Sequence, residues 1–449
     1  MSLGIVILAA GQGTRMRSAQ PKVLHPLLGK PLLIYALETA RSLTSFPPLL
    51  VVGHGMDAVR QAVGEGVVYV EQSEQLGTGH ATLQTQTTLE GRVEEVAVIH
   101  GDMPLLTPTT LQQVAQARRE QQAPVAMLTV MADDPRGFGR VVRGSGSEVL
   151  RVVEEAEATA EELAIRELNA AVYAFDAAWL WAHLPNLPRR RNGEYYLTDL
   201  ITAASGAGLP VAAVTSADPD EVLGINTRVH LAEAETALRR RINRRWMEAG
   251  VTIVDPATAY IETEVTIGQD TTIWPNTHLR GRTTVGSNCL LGPNTLIADS
   301  AIGDGCKVIA SVVEGALMEA GSDVGPFSHL RPGTHLAAGA HVGNFGELKN
   351  TTLGAGAKVG HMSYLGDAEV GAGANIGAGT ITCNFDGQRK HRTVIGAGAF
   401  VGSDTLLVAP VRVGQGARTG AGAVVTRDIP DGALAYGIPA QVKEEKKEK

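Results

Sequence analysis

His361 lies in the run Gly360-His361-Met362-Ser363-Tyr364-Leu365-Gly366-Asp367, downstream of two cations, Arg331 and Lys349, spaced by eighteen residues. An imidazole exchanges its proton near neutrality, so it suits general-base work. Most of the 12 histidines fit surface or hydrogen-bonded roles, and His361 differs by its neighbours. Eighteen is three times six, and six is the apolar period of this region. Arg331, Lys349 and Asp367 would then follow one another on adjacent coils. Stacked cations repel unless an anion bridges them. The chemistry implied is proton removal beside a bound anion, for which a sugar phosphate fits.

A second constellation sits near the other end. The apolar run Gly4-Ile5-Val6-Ile7-Leu8-Ala9-Ala10 is followed by Gly11-Gln12-Gly13-Thr14-Arg15-Met16-Arg17. Its glycines let backbone N–H groups approach a phosphate, and Arg15 adds a fixed charge. No Gly-Lys-Ser/Thr follows, and the third glycine of a dinucleotide fingerprint is missing. Alone, a glycine turn after a strand reads better as a plain tight turn. Asp102, in His100-Gly101-Asp102 at a strand end, suits a hard divalent cation bridging phosphates. A lone Asp in a loop is ordinarily a turn or cap residue.

The elements that must position these residues are of two kinds. From about Val251 to Val425, apolar residues return every sixth position. Ile261, Ile267, Ile273, Leu279, Val285, Leu291 and Ile297 keep that step, as do Val324, Leu330, Leu336, Val342 and Leu348, and later Ile395, Val401, Leu407 and Val413. Neither the helical nor the strand period fits, and a six-residue period with glycines marks a parallel β-helix of about ten coils. Glycine is expected to supply the corner dihedrals. The phase is lost between Val312 and Val324, and the polar, basic insertion Thr382 to Thr393 should project as a loop. Loops on a rigid scaffold gather binding residues. Arg389, Lys390 and Arg392 there can meet a phosphate, with solvated surface charge as the default.

Before the solenoid, strands alternate with helices: strands at 49–52, 67–70 and 96–99, helices at 31–42 and 57–63. That pattern predicts a mostly parallel sheet with ligands at the strand C-termini. Residues 231–249 read as a helix with Leu231, Leu238, Ile242 and Trp246 on a stripe. The opposite face carries Arg239, Arg240, Arg241, Arg244 and Arg245. The preferred reading is a solvated linker helix, with an anionic-surface site as the alternative.

At 449 residues, with 44% hydrophobic and 19% charged, the chain suits two or three globular domains. Its net charge of −8 argues against general nucleic-acid binding. Three cysteines without metal spacing fit a reduced, cytoplasmic compartment. Cys383 falls outside the regular repeat and is expected to be buried. No segment is long enough to span a membrane. The Lys/Glu-rich tail from Val442 to Lys449 is expected to be disordered.

The string Leu-Ala-Ala-Gly-x-Gly-Thr-Arg-Met with Pro21-Lys22 resembles the signature of sugar-phosphate nucleotidyltransferases. The hexads resemble left-handed β-helix acyltransferases. Further matches are Gln72, Gln75-Leu76-Gly77-Thr78-Gly79, Gly137-Phe138-Gly139-Arg140, Glu154, Asn169, Glu194 to Asp199 and Gly224-Ile225-Asn226. With Arg331-Pro332-Gly333, Asn344-Phe345-Gly346-Glu347, His361 to Asp367 and Asn375 to Asn384, essentially the whole chain resembles the bacterial family of bifunctional enzymes of UDP-N-acetylglucosamine synthesis. The fold implied is a Rossmann-like α/β nucleotidyltransferase domain (1–227), a linker helix (228–249) and a left-handed parallel β-helix (250–449).

The resemblance implies acetylation of glucosamine 1-phosphate by acetyl-CoA, then coupling of N-acetylglucosamine 1-phosphate to UTP with release of pyrophosphate. It implies nucleotide and sugar contacts at Leu8, Ala9, Ala10, Gly11, Gly13, Arg15, Lys22, Gln72, Gly77, Thr78, Asp102, Gly139, Glu154, Asn169 and Asn226, with Mg²⁺ on Asp102 and Asn226. His361 would be the base, Arg331 and Lys349 would hold the phosphate, and Tyr364 and Asn375 the sugar. Ala378, Asn384, Phe385, Ser403 and Ala421 would line the acetyl-CoA site. A homotrimer is expected. His100 and Phe385 stand where Tyr is commoner, and Ala435-Tyr436-Gly437-Ile438-Pro439 lacks an Arg that many relatives carry. The alternative is a single-activity sugar nucleotidyltransferase whose solenoid is a scaffold, and it gives no reason for His361, Arg331 and Lys349.

Overall fold

The computed structural model describes residues 2–443 and divides into two compact units between Leu238 and Arg239. Among the described residues no helix is long and apolar enough to cross a membrane.

The first unit is built on a sheet whose strands are β1 (Leu3–Leu8), β2 (Leu49–Val52), β3 (Val68–Glu71), β4 (Glu95–His100), β5 (Val125–Met131), β6 (Arg140–Arg143), β7 (Val149–Val153), β8 (Glu167–Asp176) and β9 (Val211–Thr215). The main path runs β9-β5-β8-β4-β1-β2-β3, with the β6–β7 hairpin attached to β8. Strands β1, β2 and β4 are nearly continuous aliphatic runs because both of their faces are covered. The helices Leu32–Leu43 and Met56–Val63 fall where the pattern predicts them.

The sheet is mostly parallel, as expected, with six strands of the main path running one way and β8 reversed among them. β8 runs antiparallel to both β4 and β5, and β6 and β7 are antiparallel as well. Hydrophobic runs report burial, not direction, so the sequence carries no signal for that reversal. A register shift between Asn169 and Tyr173 bulges β8 at the cleft, where Ala171 takes φ +57°.

A helix spans Arg228–Glu248. The expected stripe holds in part: Ile242 is buried and Leu231 and Leu238 pack half-buried against the core, while Ala234 and Ala237 are buried positions it left out and Trp246 is half-buried. Asn243, fully buried, donates through Nδ2 to the carbonyls of Pro256 at 2.8 Å and Ala259 at 3.0 Å. Arg239 lies over the Tyr260 ring at 4.6 Å, Arg244 pairs with Glu248 at 2.8 Å, and Arg245 lies over Trp246 at 4.9 Å. Asn243→Ala would strand the buried Ala259 carbonyl and remove the tie to the exposed Pro256, so we expect a loss of about 2 kcal/mol. The check is the thermal midpoint of the solenoid, and an unchanged midpoint would contradict it.

The second unit is a left-handed parallel β-helix of three parallel sheets. The first face starts with Thr252–Ile253, the second with Ala259–Ile261 and the third with Thr266–Ile267. The expected inward aliphatics are buried throughout, and each contributes about 1.5–3 kcal/mol relative to exposure. Beside them runs a buried hydroxyl ladder that the apolar pattern does not reveal. Ser328 Oγ, for example, donates to Gly343 O at 2.5 Å and accepts from Gly346 N at 2.8 Å. Such groups meet carbonyls and N–H groups that the corners leave without ladder partners.

The break between Val312 and Val324 is not a loss of phase. Val313 and Met318 are buried inward residues, so the step shortens from six to five twice. Coil lengths vary accordingly: Ile302 pairs with Met318, Leu336 with Leu353 and Leu330 with Leu348. Lys349 therefore stands over Gly366, and the eighteen-residue rule fails for Asp367. Glycine does supply corner dihedrals, with φ of +66° at Gly339 and +64° at Gly356 and Gly398, and it takes a second role beside that one. A Cβ on Gly343 would lie 1.9 Å from Gly360 O, so close coil stacking excludes a side chain there. Gly325 does combine close approach with a left-handed dihedral of +112°.

Within the insertion, Thr382 and Cys383 continue a strand and Thr393 begins another, so only Asn384 to Arg392 project. Cys383 is thus part of the repeat and half-buried, a correction to its expected burial outside it. Val442 and Lys443 pair antiparallel with Ala435 and Leu434, against the disorder expected of them. The remainder of that tail, residues 444–449, lies outside the described residues.

Candidate functional sites

The first unit carries a cleft of about 630 Å³ at the C-terminal ends of β1 and β4. Of the sequence-derived residues, Leu8, Ala9, Ala10, Gly11, Arg15, Lys22, Gln72, Gly77, Thr78, Asp102, Gly139, Glu154 and Asn169 line it. Gly13 and Asn226 do not. Gly13 has φ +63°, and a Cβ there would fall 2.6 Å from the Cβ of Lys22, so its bare backbone lets Lys22 come in. Asn226 is joined to the cleft through Lys22, whose Nζ donates to Asn226 Oδ1 at 3.0 Å and pairs with Asp102 Oδ2. The backbone N–H of Ile225 donates to Asp102 O at 3.0 Å, which fixes the two segments together.

Two hard oxygen ligands, a carboxylate and an amide carbonyl, thus converge on one cation. Among the described residues no group of three or more His, Cys, Asp and Glu could hold a metal. A site of one carboxylate and one amide suits Mg²⁺, which keeps waters and takes phosphate oxygens as further ligands. Burial pushes the Asp102 carboxyl up, but the charges of Lys22 and His100 outweigh it and hold it below the usual range.

Gln72 is buried, and its Nε2 lies 3.1 Å from both Gly77 O and His80 Nδ1. Gln75 Nε2 donates to Ala10 O at 2.7 Å, tying the Gln75 to Gly79 loop to the glycine turn. Asn169 Nδ2 donates to Tyr173 Oη at 2.7 Å, and its Oδ1 accepts from Ala171 N at 3.1 Å. Burial raises the Glu154 carboxyl above its ordinary value, with the Thr198 hydroxyl 3.3 Å away. The sequence reading assigned no role to His100, Phe138, Tyr173, Glu194, Tyr196 and Thr198, which also line the cleft. Tyr173 is part of an apolar strand, and only the bulge beside it turns its hydroxyl to Asn169.

In the second unit His361 ends a first-face strand beside Asn344 of the preceding coil. Its Nδ1 lies 2.6 Å from Asn344 Oδ1. An amide oxygen can only accept, so the proton belongs on Nδ1 and Nε2 keeps its lone pair. The ring is exposed. The same edge continues through Ala378, whose O accepts from Asp404 N at 2.6 Å, and Ser403, whose O accepts from Gly422 N at 2.8 Å beside Ala421. Gly379 N in turn donates to His361 O at 3.4 Å. His361, Ala378, Ser403 and Ala421 therefore succeed one another along a single edge of the prism. Asn375 stands on the face leading into that edge, between Lys358 and Phe400. Tyr364 opens the next face, between Glu347 and Ile381.

Arg331 and Lys349 lie at the far end of that next face, in register. One three-residue strand, about 10 Å long, separates them from the His361 corner. Arg331 Nη1 pairs with Glu347 Oε1 at 2.8 Å. The charges of Lys390 and Arg331 hold Lys349 below the usual lysine value. Three cations thus share one corner, and Lys390 arrives on the hairpin of the insertion. Asn384 is buried at the hairpin base and donates to Asp367 Oδ2 at 2.6 Å. Phe385 is exposed and bridges Lys390 across the hairpin, away from the Ala378 to Ala421 edge of its own coil stack.

Asn344→Ala would free the imidazole to rotate and change tautomer. We expect a fall of about tenfold in the turnover of any reaction that uses His361 as base, with substrate KM little changed. A KM effect alone would contradict this role for Asn344.

The model of the MobA-like NTP transferase domain matches residues 5–177, and that of the bacterial transferase hexapeptide (six repeats) matches residues 264–299. A protein of Stutzerimonas stutzeri named Bifunctional protein GlmU is 49% identical over 97% of this chain and 96% of its own length. Proteins of the same name from Heliobacterium modesticaldum and Brevibacillus brevis are 47% and 46% identical, over 96% and 97% of this chain and 94% and 95% of their own lengths.

Proposed function

The chain belongs to the GlmU family of bifunctional proteins, and from that membership and the two sites we infer two transfer reactions on one polypeptide. The enzyme acetylates glucosamine 1-phosphate with acetyl-CoA and transfers UMP from UTP to N-acetylglucosamine 1-phosphate, releasing pyrophosphate. The observation that carries this reading is that each compact unit holds its own constellation. One is a phosphate-suited cleft with Lys22, Asp102 and Asn226 together, and the other is an edge with an open imidazole nitrogen and a cation corner one face further on. We assign residues 1–227 to uridylyl transfer, 228–249 to the linking helix and 250–449 to acetyl transfer.

In acetyl transfer the amine of the sugar attacks the thioester carbonyl, the C–S bond breaks and CoA leaves as the thiol. The amine is a nucleophile only without its extra proton. His361 Nε2 takes that proton, while Asn344 holds Nδ1–H. Arg331 and Lys349 receive the sugar phosphate, Tyr364 and Asn375 the sugar ring. Ala378, Ser403 and Ala421 on their shared edge receive acetyl-CoA, and Asn384 and Phe385, which stand at the hairpin corner, meet it from a neighbouring subunit. The largely backbone character of the edge suits a donor gripped by amides and carbonyls.

In uridylyl transfer a phosphate oxygen of N-acetylglucosamine 1-phosphate attacks the α-phosphorus of UTP, and the bond to pyrophosphate breaks. Alignment and charge neutralisation supply most of the catalysis. Arg15 and Lys22 meet the phosphates. The glycine turn Gly11 to Gly13 and Leu8, Ala9, Ala10, Gln72, Gly77 and Thr78 hold the nucleotide. Gly139, Glu154 and Asn169 hold the sugar. Asp102 and Asn226 would hold Mg²⁺, which supplies positive charge to the phosphates when bound. Lys22 must then shift from Asp102 toward a phosphate oxygen.

We assign a homotrimer, supported by an exposed apolar edge on the solenoid. Phe327 and Phe345 stack at 5.6 Å, with Met362 next on the same edge, and all three are more than half exposed. A patch of this kind is characteristic of an interaction surface. Three cysteines without a disulfide fit a reducing, cytoplasmic setting. The test is an assay of the purified chain with glucosamine 1-phosphate, acetyl-CoA, UTP and Mg²⁺, following thiol and pyrophosphate separately. Release of both is expected. Pyrophosphate release from N-acetylglucosamine 1-phosphate without any thiol release from glucosamine 1-phosphate would reduce the solenoid to a scaffold.

A further inference from the structure

The hairpin from Asn384 to Arg392 leaves and rejoins the solenoid at Asp367, with a further tie from Arg392 Nη2 to Glu369 Oε2 at 2.8 Å on its exit side. Asp367 turns the corner after the Tyr364–Gly366 strand. Its Oδ1 accepts from Asn350 Nδ2 at 2.7 Å and its Oδ2 from Asn384 Nδ2 at 2.6 Å. Its carbonyl accepts from Thr393 N at 3.2 Å, so both ends of the insertion are tied to it. The hairpin itself is stiff. Asp386 Oδ1 accepts from Gln388 N at 2.8 Å and Arg389 N at 2.7 Å, Oδ2 lies 2.7 Å from His391 Nε2, and His391 N donates to Asn384 O at 2.7 Å. A stiff hairpin moves as its base moves. Its base is Asp367, and the residue it delivers to the cation corner is Lys390. Asn350, Asp367, Lys390 and Arg392 line a pocket of about 310 Å³ beside the hairpin base.

We propose that Asp367 is a positioning residue for acetyl transfer, seating the hairpin so that Lys390 completes the anion site of Arg331 and Lys349 while Asn384 is set for the acyl donor. The inference rests on the reading of the solenoid as the acetyltransferase. Asp367 also acts by charge. The groups that face Lys349 are Lys390 of the hairpin, Arg331 of the preceding coil and Asp367 of the following corner. Glu347, on the same strand as Lys349, is engaged by Arg331. Lys390 and Arg331 depress Lys349, and Asp367 opposes them. Neutralising Asp367 lets Lys349 lose its proton at lower pH, and a phosphate dianion then loses a partner.

Asp367→Asn tests both parts. An asparagine accepts through one oxygen only, so one of the two amides, Asn350 or Asn384, must turn over or lose its partner, and both charge-assisted bonds are lost. We expect KM for glucosamine 1-phosphate to rise about tenfold at neutral pH, with kcat changed less. On titration to alkaline pH, the further rise of KM should begin at lower pH than in the wild type. Pyrophosphate release by the other site should not change. In a Lys390→Ala background the effect of Asp367→Asn on KM should shrink, because the two act through one contact. Wild-type KM and pH profile in Asp367→Asn would overturn the proposal. A wild-type enzyme that never releases thiol would overturn the acetyltransferase reading instead. If Asp367→Asn is unfolded by circular dichroism, Asn350→Ala, which keeps the charge, replaces it. That variant should raise KM without moving the pH profile, and an unchanged KM would overturn the positioning role.

Discussion

His361→Ala is expected to slow thiol release from acetyl-CoA by about a hundredfold to ten-thousandfold, the usual contribution of a positioned general base. Pyrophosphate release from UTP and N-acetylglucosamine 1-phosphate should be unaffected, because it takes place in the other compact unit. The loss should fall on kcat, since the imidazole acts on the amine proton and the phosphate is held at the far end of the next face. His361→Gln is the sharper control. It keeps a polar side chain beside Asn344 Oδ1, 2.6 Å from the native Nδ1, but offers no basic nitrogen. If the glutamine variant retained most of the wild-type rate, the base would have to be another group.

Asp102→Ala is expected to reduce pyrophosphate release by at least about a hundredfold while thiol release continues. Asp102 would act through the cation it holds against the phosphates, and losing one preorganised electrostatic contribution of that kind typically costs that much. Here the loss is compounded, because Lys22 Nζ is held by Asp102 and by Asn226 Oδ1 at 3.0 Å. Without the carboxylate, the ammonium keeps one ligand, and the proposed Mg²⁺ position keeps only the amide oxygen. Asp102→Asn should therefore fail nearly as badly, and excess Mg²⁺ should restore part of its activity. A variant at Asp102 with wild-type pyrophosphate release and Mg²⁺ dependence would remove this residue from the mechanism.

The solenoid was legible because its period matches no helix or strand and its inward aliphatics are read one by one. What escaped was set by coil length. Val308, Val313 and Met318 step by five, so a rule tuned to six misses the third of a coil they cover. The same variation places Gly366 over Lys349 and leaves Asp367 to anchor the hairpin. Arg331 over Lys349 was readable because their two coils happen to keep eighteen residues. In the first unit the alternation of strands and helices set the cleft at the ends of β1 and β4. The antiparallel β8 was not legible, nor was the bulge that presents Asn169, because strand direction has no local signature. The meeting of Lys22 with Asp102 and Asn226 joins segments far apart in the chain. The resemblance could name those residues, but no local pattern links them. Gly13 shows the same limit, since its reason is the Cβ of Lys22 across the turn.

Two independent sites on one polypeptide make up the central claim. The most direct measurement is the yield of UDP-N-acetylglucosamine from glucosamine 1-phosphate, acetyl-CoA, UTP and Mg²⁺ with His361→Ala alone, Asp102→Ala alone and an equimolar mixture of the two. Each variant alone should form almost none, and the mixture should recover a large fraction of the wild-type rate as N-acetylglucosamine 1-phosphate passes through solution. Failure of the mixture, with both variants folded and each retaining its one expected half-reaction, would contradict the independence of the two sites.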